Sequence, residues 1–191
     1  MITWILNNYI EILSSIFGVF AVALSTKQNI LCWPLGVVSI VLALYVFYDL
    51  GLYEDVVLQL IVFIITIGGW YNWKYGGVNN TELKVSNIKK KELLILISIS
   101  VILIFMFWFL FTNYTLAKIP LCNAIVSILI VFGMYTQSKK YIECWLILLL
   151  NDIICLGIYI YKDLYAFSLL YFIFGILSII GYISWKKDLK I

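Results

Sequence analysis

The chain of 191 residues has no histidine and no arginine, and all thirteen of its basic side chains are lysines. Without histidine, without paired carboxylates deep in an apolar run and without a nucleophile elbow, the sequence offers no base–nucleophile pair, which argues against an enzyme. A metal site lacks support for the same reason, since no close cysteine pair replaces the missing imidazoles. Charge is scarce as well, at 12% of residues, and the net charge of +3 is too small for a nucleic-acid partner. The four cysteines lie inside or at the ends of apolar runs and read as small hydrophobes rather than as a disulfide framework. No cofactor is implied. Only two prolines occur, Pro34 and Pro120, each in the first turn of an apolar segment, where a missing N–H is harmless. The N-terminal MITWILNNYIEIL has no basic region and no small-residue cleavage site, so a cleaved signal peptide is not expected.

What is present is apolar. Hydrophobic residues make up 64% of the chain and the mean hydropathy is +1.07, against about half apolar and a quarter charged in soluble domains. Apolar runs approach the length of a bilayer crossing, which predicts an all-α integral membrane protein. Seven spans are expected, near 8–25, 30–48, 55–73, 93–112, 119–137, 141–161 and 166–185. Trp4 is expected at headgroup level, in an interfacial lead-in. The one long polar stretch, 74–92, carries Gly76, Gly77, Asn79 and Asn80 and then Lys89-Lys90-Lys91, which reads as a solvated anchor. With seven spans, Lys27, Lys74, Lys84, Lys89, Lys90, Lys91, Lys139, Lys140, Lys186, Lys187 and Lys190 share one side. Only Lys118 and Lys162 fall on the other, with Asp49, Glu54, Asp55 and Asp163. The positive-inside rule then places the N-terminus outside and the C-terminus in the cytoplasm of a cell (inner) membrane protein.

The chain repeats itself. Shifted by 112 residues, Lys27, Cys32 and Trp33 fall on Lys139, Cys144 and Trp145, Leu52-Tyr53 on Leu164-Tyr165, and Gly69, Trp73 and Lys74 on Gly181, Trp185 and Lys186. Residues 27–74 and 139–186 share 14 identities in 48 positions. Equivalent helices are four spans apart and cross in the same direction. The expected architecture is therefore a 3+1+3 parallel repeat: a first three-helix unit (1–75), a loop and linker helix (76–117), and a second three-helix unit (118–191). Transporters built this way hold substrate between the repeats near the midplane.

A carboxylate at mid-bilayer depth costs roughly 2.5–3.5 kcal/mol on insertion scales and marks a functional site by default. Asp152, beside Asn151, is such a carboxylate, in the middle of the sixth span. Trp145, Asp152 and Tyr159 share its helical face, with Leu148 and Cys155 alongside, a stripe suited to a small, ring-bearing, cationic ligand. In the third span Gln59, Phe63, Thr66, Trp70 and Trp73 share one face, and Tyr171, Gly175, Ser178, Tyr182 and Trp185 are their repeat equivalents. Gln59 and Tyr171 are expected toward the outer half, Thr66 and Ser178 nearer the inner half. Trp70, Trp73, Tyr182 and Trp185 are expected in an interfacial aromatic belt, and Trp145 with them. Ser39, the equivalent of Asn151, supplies a small polar group at matching depth, and Tyr45 is expected to face the ligand. Asn123 and Gln137, at the two ends of the fifth span, read as interfacial. The candidate substrate-binding set is thus Asp152, Asn151, Gln59, Ser39, Tyr45, Leu148, Tyr171, Thr66 and Tyr159. As an alternative class, a proton-coupled transporter could load its proton on Asp152, although Glu143 lies too near the cytoplasmic end to relay it.

NILCWPLGVVSIVLALYVFYDLGLYEDVVLQL followed by GGWYNW resembles the first half of the Pnu-type vitamin transporters. SKKYIECW, NDIICLGIYIYKDLYAFSLLY and GYISWKK are similar to the second half, and the likeness spans nearly all of the chain beyond residues 1–20 and the linker helix. The resemblance implies a fold akin to full-length SWEET carriers and facilitated diffusion of a vitamin precursor, usually nicotinamide riboside, which a cytoplasmic kinase traps by phosphorylation. Thiamine, riboflavin and deoxynucleosides are carried by other relatives. A homo-oligomer, a trimer, is the expected assembly. Nicotinamide riboside carriers have a W-x-x-x-N pattern in the sixth span whose Trp and Asn contact the ligand; Leu148 and Asp152 stand at those places here.

Overall fold

The computed structural model describes residues 9–114 and 119–189. Trp4, Lys118 and Lys190 lie outside the described residues. Among the described residues, seven helices are long and apolar enough to cross a membrane. They are α1 (Tyr9–Thr26), α2 (Cys32–Asp49), α3 (Tyr53–Tyr75), α4 (Lys90–Tyr114), α5 (Pro120–Ser138), α6 (Cys144–Tyr161) and α7 (Tyr165–Asp188). Their ends match the expected spans to within about three residues. Helix is the form these apolar runs must take in lipid, because it satisfies every backbone N–H and C=O within the segment. Local chemistry sets the ends. Pro120 occupies the first turn of α5. Glu54 and Asp55 lie in the first turn of α3 and Lys74 in its last, each favourable to the helix dipole.

The repeat is visible in the backbone itself. Gln28 and Lys140, 112 residues apart, both adopt a left-handed conformation (φ 53° and 51°), and so do Gly51 and Asp163 (φ 69° and 58°). These residues turn α1 into α2, α5 into α6, α2 into α3 and α6 into α7. The turn bonds correspond too: Asn29 N–H donates to the Leu24 carbonyl and Tyr141 N–H to that of Thr136, both at 3.0 Å. Leu52 N–H donates to Phe47 and Leu164 N–H to Tyr159, both at 2.9 Å.

Within each triplet the helices pack in sequence, α1 on α2 on α3 and α5 on α6 on α7. The triplets meet where α3 packs on α5 and α7 packs on α1. Since α1 is equivalent to α5 and α3 to α7, these two seams are one contact repeated by a pseudo-two-fold axis. Six helices thus form a ring, and α4 packs on the outside of α5. Most of α4 is exposed apolar side chain, as expected for a linker helix facing lipid.

The core sits at one end of this ring, the end that bears most of the lysines. Trp33, Trp73, Trp145 and Trp185 are at most 3% exposed and cluster with Cys32, Ile142, Cys144 and Leu148. This corrects the expectation of an interfacial belt for Trp73, Trp145 and Trp185. Trp70 is 39% exposed and remains at the surface. Trp73 and Trp185 are held inward by N–H bonds to the Gln137 and Ser25 carbonyls. Trp145, like its equivalent Trp33, is admitted by a facing glycine: a Cβ at Gly69 would run into the Trp33 indole, and one at Gly181 into the Trp145 indole. Each glycine removes the side chain that would hold the indole off the neighbouring helix. Trp33 and Trp73 pack edge to face at 5.2 Å and 87°, and Trp145 and Trp185 at 5.3 Å and 88°, the same pair made twice. Lys89, Lys90 and Lys91 are all exposed at the surface, in keeping with a solvated anchor.

Gly181→Ala is expected to cost about 1–3 kcal/mol through overpacking against Trp145. That corresponds to a detergent melting temperature lower by about 3 to 9 °C. Gly157→Ala, with nothing within 4 Å of the added methyl, should leave the melt unchanged. Equal melts for the two variants would contradict this packing.

Candidate functional site

Above the tryptophan cluster, the ring of six helices, joined by Phe111 of α4, surrounds a cavity of about 440 Å³. Its lining reaches Phe47, Glu54, Asp55 and Lys162, at the α2–α3 and α6–α7 turns, so its mouth is at the end poor in lysine. At the opposite end it stops at Val22, Met134, Gln137 and Leu148. Val22 and Met134 pack on the tryptophan cluster and Leu148 is part of it, so that cluster is the cavity's floor. Both repeats contribute walls, unequally. Gly18, Gly36, Ser39, Ile40, Gln59 and Val62 come from the first, while Asn123, Ser127, Gln137, Asn151, Asp152, Tyr171 and Ser178 come from the second.

Asp152 is 6% exposed, in the wall of the cavity. Ser178 on α7 donates its hydroxyl to Asp152 Oδ2 at 3.0 Å. Asn151 is buried beside it, and its Oδ1 has no hydrogen-bond partner among the described residues. Burying an unpaired polar atom costs about 1–3 kcal/mol. Toward the mouth runs an aromatic ladder. Tyr159 stacks on Phe167 and on Tyr171, each at 5.2 Å and with interplanar angles of 20° and 17°, and Phe174 meets Tyr171 edge-on at 5.9 Å. A carboxylate next to aromatic faces attracts a flat cation by charge and by ring quadrupole together. The repeat equivalents do not reproduce this chemistry. Ile40 stands opposite Asp152 in the repeat, and Thr66, equivalent to Ser178, donates its hydroxyl to Val62 O of its own helix at 2.8 Å. The deep carboxylate and the aromatic ladder therefore belong to the second repeat, while the first supplies Ser39 and Gln59 and, at the mouth, Glu54 and Asp55.

The structure brings Asp152, Asn151, Gln59, Ser39, Leu148, Tyr171 and Tyr159 to one cavity. Leu148 sits at its floor, where it fills the space over Gly133. Ser39 donates to Ser14 O at 2.8 Å and Ser14 to Ser39 O at 2.9 Å, so its hydroxyl also ties α2 to α1. Two expected residues lie elsewhere. Tyr45 is 60% exposed on the outer face of α2. It is six residues from Ser39, and the helical period puts Gly36, Ile40 and Phe47 on the cavity face instead. Thr66 is buried behind the wall, its methyl near Gly36. Gln137 and Asn123, expected at the interface, line the cavity, and so does Ser178. The repeat holds the signal for Gln137: Ser25, its equivalent, is its hydrogen-bond partner at 2.9 Å.

The sequence profile of the nicotinamide mononucleotide transporter family matches residues 8–187. The chain belongs to that family. It is accordingly a multi-pass membrane transporter and not an enzyme. The nicotinamide riboside transporter PnuC of Escherichia coli is 23% identical over an alignment of 208 positions that spans 96% of this chain and 87% of that protein. The riboflavin/roseoflavin transporter RibM of Streptomyces davaonensis is 25% identical over 181 positions, 92% of this chain and 83% of that one. A crystal structure of the vitamin B3 transporter PnuC superimposes with a TM-score of 0.78 over 98% of this chain and 85% of its own, at 20% identity, which shows the shared fold.

In this transporter the Asp152 carboxylate is tied to a second helix by the Ser178 hydroxyl, with no lysine paired to it among the described residues. Replacing a buried charged group by a well-packed apolar one is often neutral or stabilising. Asp152→Leu should therefore melt no lower than the natural protein. A fall of more than about 6 °C, some 2 kcal/mol at this chain length, would make Asp152 a structural residue.

Proposed function

We propose that this transporter is a passive carrier of a small cationic vitamin precursor, nicotinamide riboside before others, bound in the cavity between the two triplets. The observation that carries the reading is the buried Asp152 carboxylate beside the Tyr159–Tyr171 stack. A pyridinium ring fits such a wall because its positive charge meets the carboxylate and its face meets the tyrosines. The Asn151 Oδ1, without a partner among the described residues, would take a hydroxyl or amide hydrogen from the ligand. The relative PnuC supports this substrate by its name. Thiamine is the second reading, since its thiazolium is also a flat cation. Riboflavin, the substrate named for the relative RibM, is favoured less by a buried carboxylate because its ring is uncharged. A passive cycle is supported by Asp152 being the one carboxylate on the wall between the floor and the mouth among the described residues. We also propose the N-terminus outside and the lysine-rich end in the cytoplasm of a cell membrane. There a kinase would phosphorylate the arriving substrate and so keep the gradient inward. The triplets 1–75 and 118–191 would be the moving bodies, with 76–117 linking them. A homotrimer is part of the proposal on the resemblance alone.

Calorimetry of the detergent-solubilised protein with nicotinamide riboside, thiamine and riboflavin side by side tests the substrate. The expected result is tight binding of the riboside, weakened about tenfold in Asp152→Asn, about 1.4 kcal/mol, with the melt unchanged. Tight binding of thiamine alone would move the chain to that substrate, and affinity unchanged in Asp152→Asn would remove the charge from the account. Uptake into proteoliposomes should persist when the proton gradient is collapsed. Uptake that stops would require proton coupling.

A further inference from the structure

At the lysine-rich end, residues related by the 112-residue shift touch one another. Gln137 Nε2 donates to Ser25 Oγ at 2.9 Å, Lys140 Nζ to Gln28 Oε1 at 3.2 Å, and Trp73 and Trp185 pack ring to ring at 5.7 Å. Self-equivalent contacts of this kind occur only on the pseudo-two-fold axis, which is also the axis of the cavity. The indoles cross it reciprocally: Trp73 Nε1–H donates to the Gln137 carbonyl at 2.9 Å, and Trp185 Nε1–H to the Ser25 carbonyl at 3.1 Å. Gln28 also donates to Asp188 Oδ2, and the Lys140 ammonium lies over the Trp73 ring at 4.6 Å. Burial lowers the Lys140 pKa.

A strap covers this plug. Leu83 N–H in the α3–α4 linker donates to Trp73 O of the first repeat at 3.1 Å. Three residues later Ser86 pairs with the second: its N–H donates to Lys140 O, and its carbonyl accepts from Ile142 N–H, both at 3.0 Å. Ile88 N–H donates to Glu143 Oε2 at 3.1 Å, Tyr141 OH to Glu92 Oε2 at 2.9 Å, and Leu83 and Val85 lie on the tryptophans. Burial and the Glu92 bond push the Tyr141 phenol up to about 12. Beneath the strap the indole N–H groups of Trp33 and Trp145, again equivalents, are buried with no acceptor among the described residues. A closed state that strands two donors is one that another arrangement can relieve.

We propose that this end is the carrier's gate, that residues 83–88 are its lid, and that Gln137 is the positioning residue that couples the gate to the cavity. Gln137 is the residue that does both jobs: its side chain lines the cavity, and its amide and carbonyl hold Ser25 and Trp73 across the axis. A ligand that takes the Gln137 amide releases Ser25, the residue whose carbonyl anchors Trp185. The two triplets can then part at this end, and the strap must leave one of them. The inference rests on the transport reading above.

The test has two arms. Ser86→Cys with Tyr141→Cys places thiols on directly paired residues, about 4.8 Å apart in the backbone, within disulfide reach. Oxidation is expected to cut proteoliposome uptake of nicotinamide riboside at least about tenfold, with binding retained and uptake restored by reductant. Full uptake by the cross-linked protein would overturn the lid. In the second arm Ser25→Ala removes the acceptor of the Gln137 amide from outside the cavity. Cys32 and Cys144 are buried in the plug, and their labelling by a membrane-impermeant maleimide on the lysine-rich side should rise at least about threefold in this variant. In the natural chain nicotinamide riboside should raise it as well. Labelling unchanged by both would overturn the coupling through Gln137. If the transport reading itself is wrong, the reduced, uncross-linked protein takes up no riboside at all, which separates the two failures.

Discussion

Two indole hydrogen bonds hold the rest of this structure in register: Trp73 to the Gln137 carbonyl and Trp185 to the Ser25 carbonyl. Each joins one triplet to the other, and each is the image of the other under the internal repeat. In a membrane, helices gain little from hiding apolar surface from lipid that is equally apolar. Association must come from close packing and from polar groups with nowhere else to bond. The four tryptophans supply both. The Trp33 and Trp145 rings fit the end of the bundle because Gly69 and Gly181 let them in, and the N–H groups of Trp73 and Trp185 bridge the axis. Closing one end in this way leaves the ring of six helices splayed around a cavity at the other.

That cavity is chemically lopsided although its scaffold is nearly symmetric. The turns, the left-handed residues and the tryptophan pairs are duplicated closely. The site is not. Ile40 faces what Asp152 faces, Ser39 bonds to its neighbouring helix where Asn151 leaves an acceptor free among the described residues, and the aromatic ladder belongs to α6 and α7 alone. Duplication therefore accounts for the turns and the plug, which need symmetry, and divergence for the binding wall, which has to recognise an asymmetric molecule. The energetic cost of burying Asp152 falls on one repeat only.

Much of this is legible in the sequence. Apolar run lengths place all seven helices, and a gapless shift finds the repeat because tryptophan, lysine and a Leu-Tyr pair recur in register. Asp152 stands out because a carboxylate in mid-span is too costly to serve packing alone. What the sequence does not supply is azimuth at the helix ends. Depth alone assigns Trp73, Trp145 and Trp185 to the lipid interface, whereas Trp145 is admitted by Gly181 on another helix and Trp73 and Trp185 are held inward by carbonyls of the opposite triplet. Gln137 looks interfacial for the same reason. Its partner Ser25 is its own repeat equivalent, a relation that only an axis running between them produces. Tyr45 is misplaced when residue type outweighs helical phase, since Gly36, Ile40 and Phe47 mark the inward face.

An experimental structure of the transporter with nicotinamide riboside bound tests most directly whether the wall of α6 and α7 holds the transported molecule. We expect the pyridinium ring within about 6 Å of the Tyr171 or Tyr159 ring, its charge toward Asp152 and a hydrogen-bond donor on Asn151. Ligand density outside the ring of six helices, for instance in the groove between α1 and α7 beside Glu11, would contradict it.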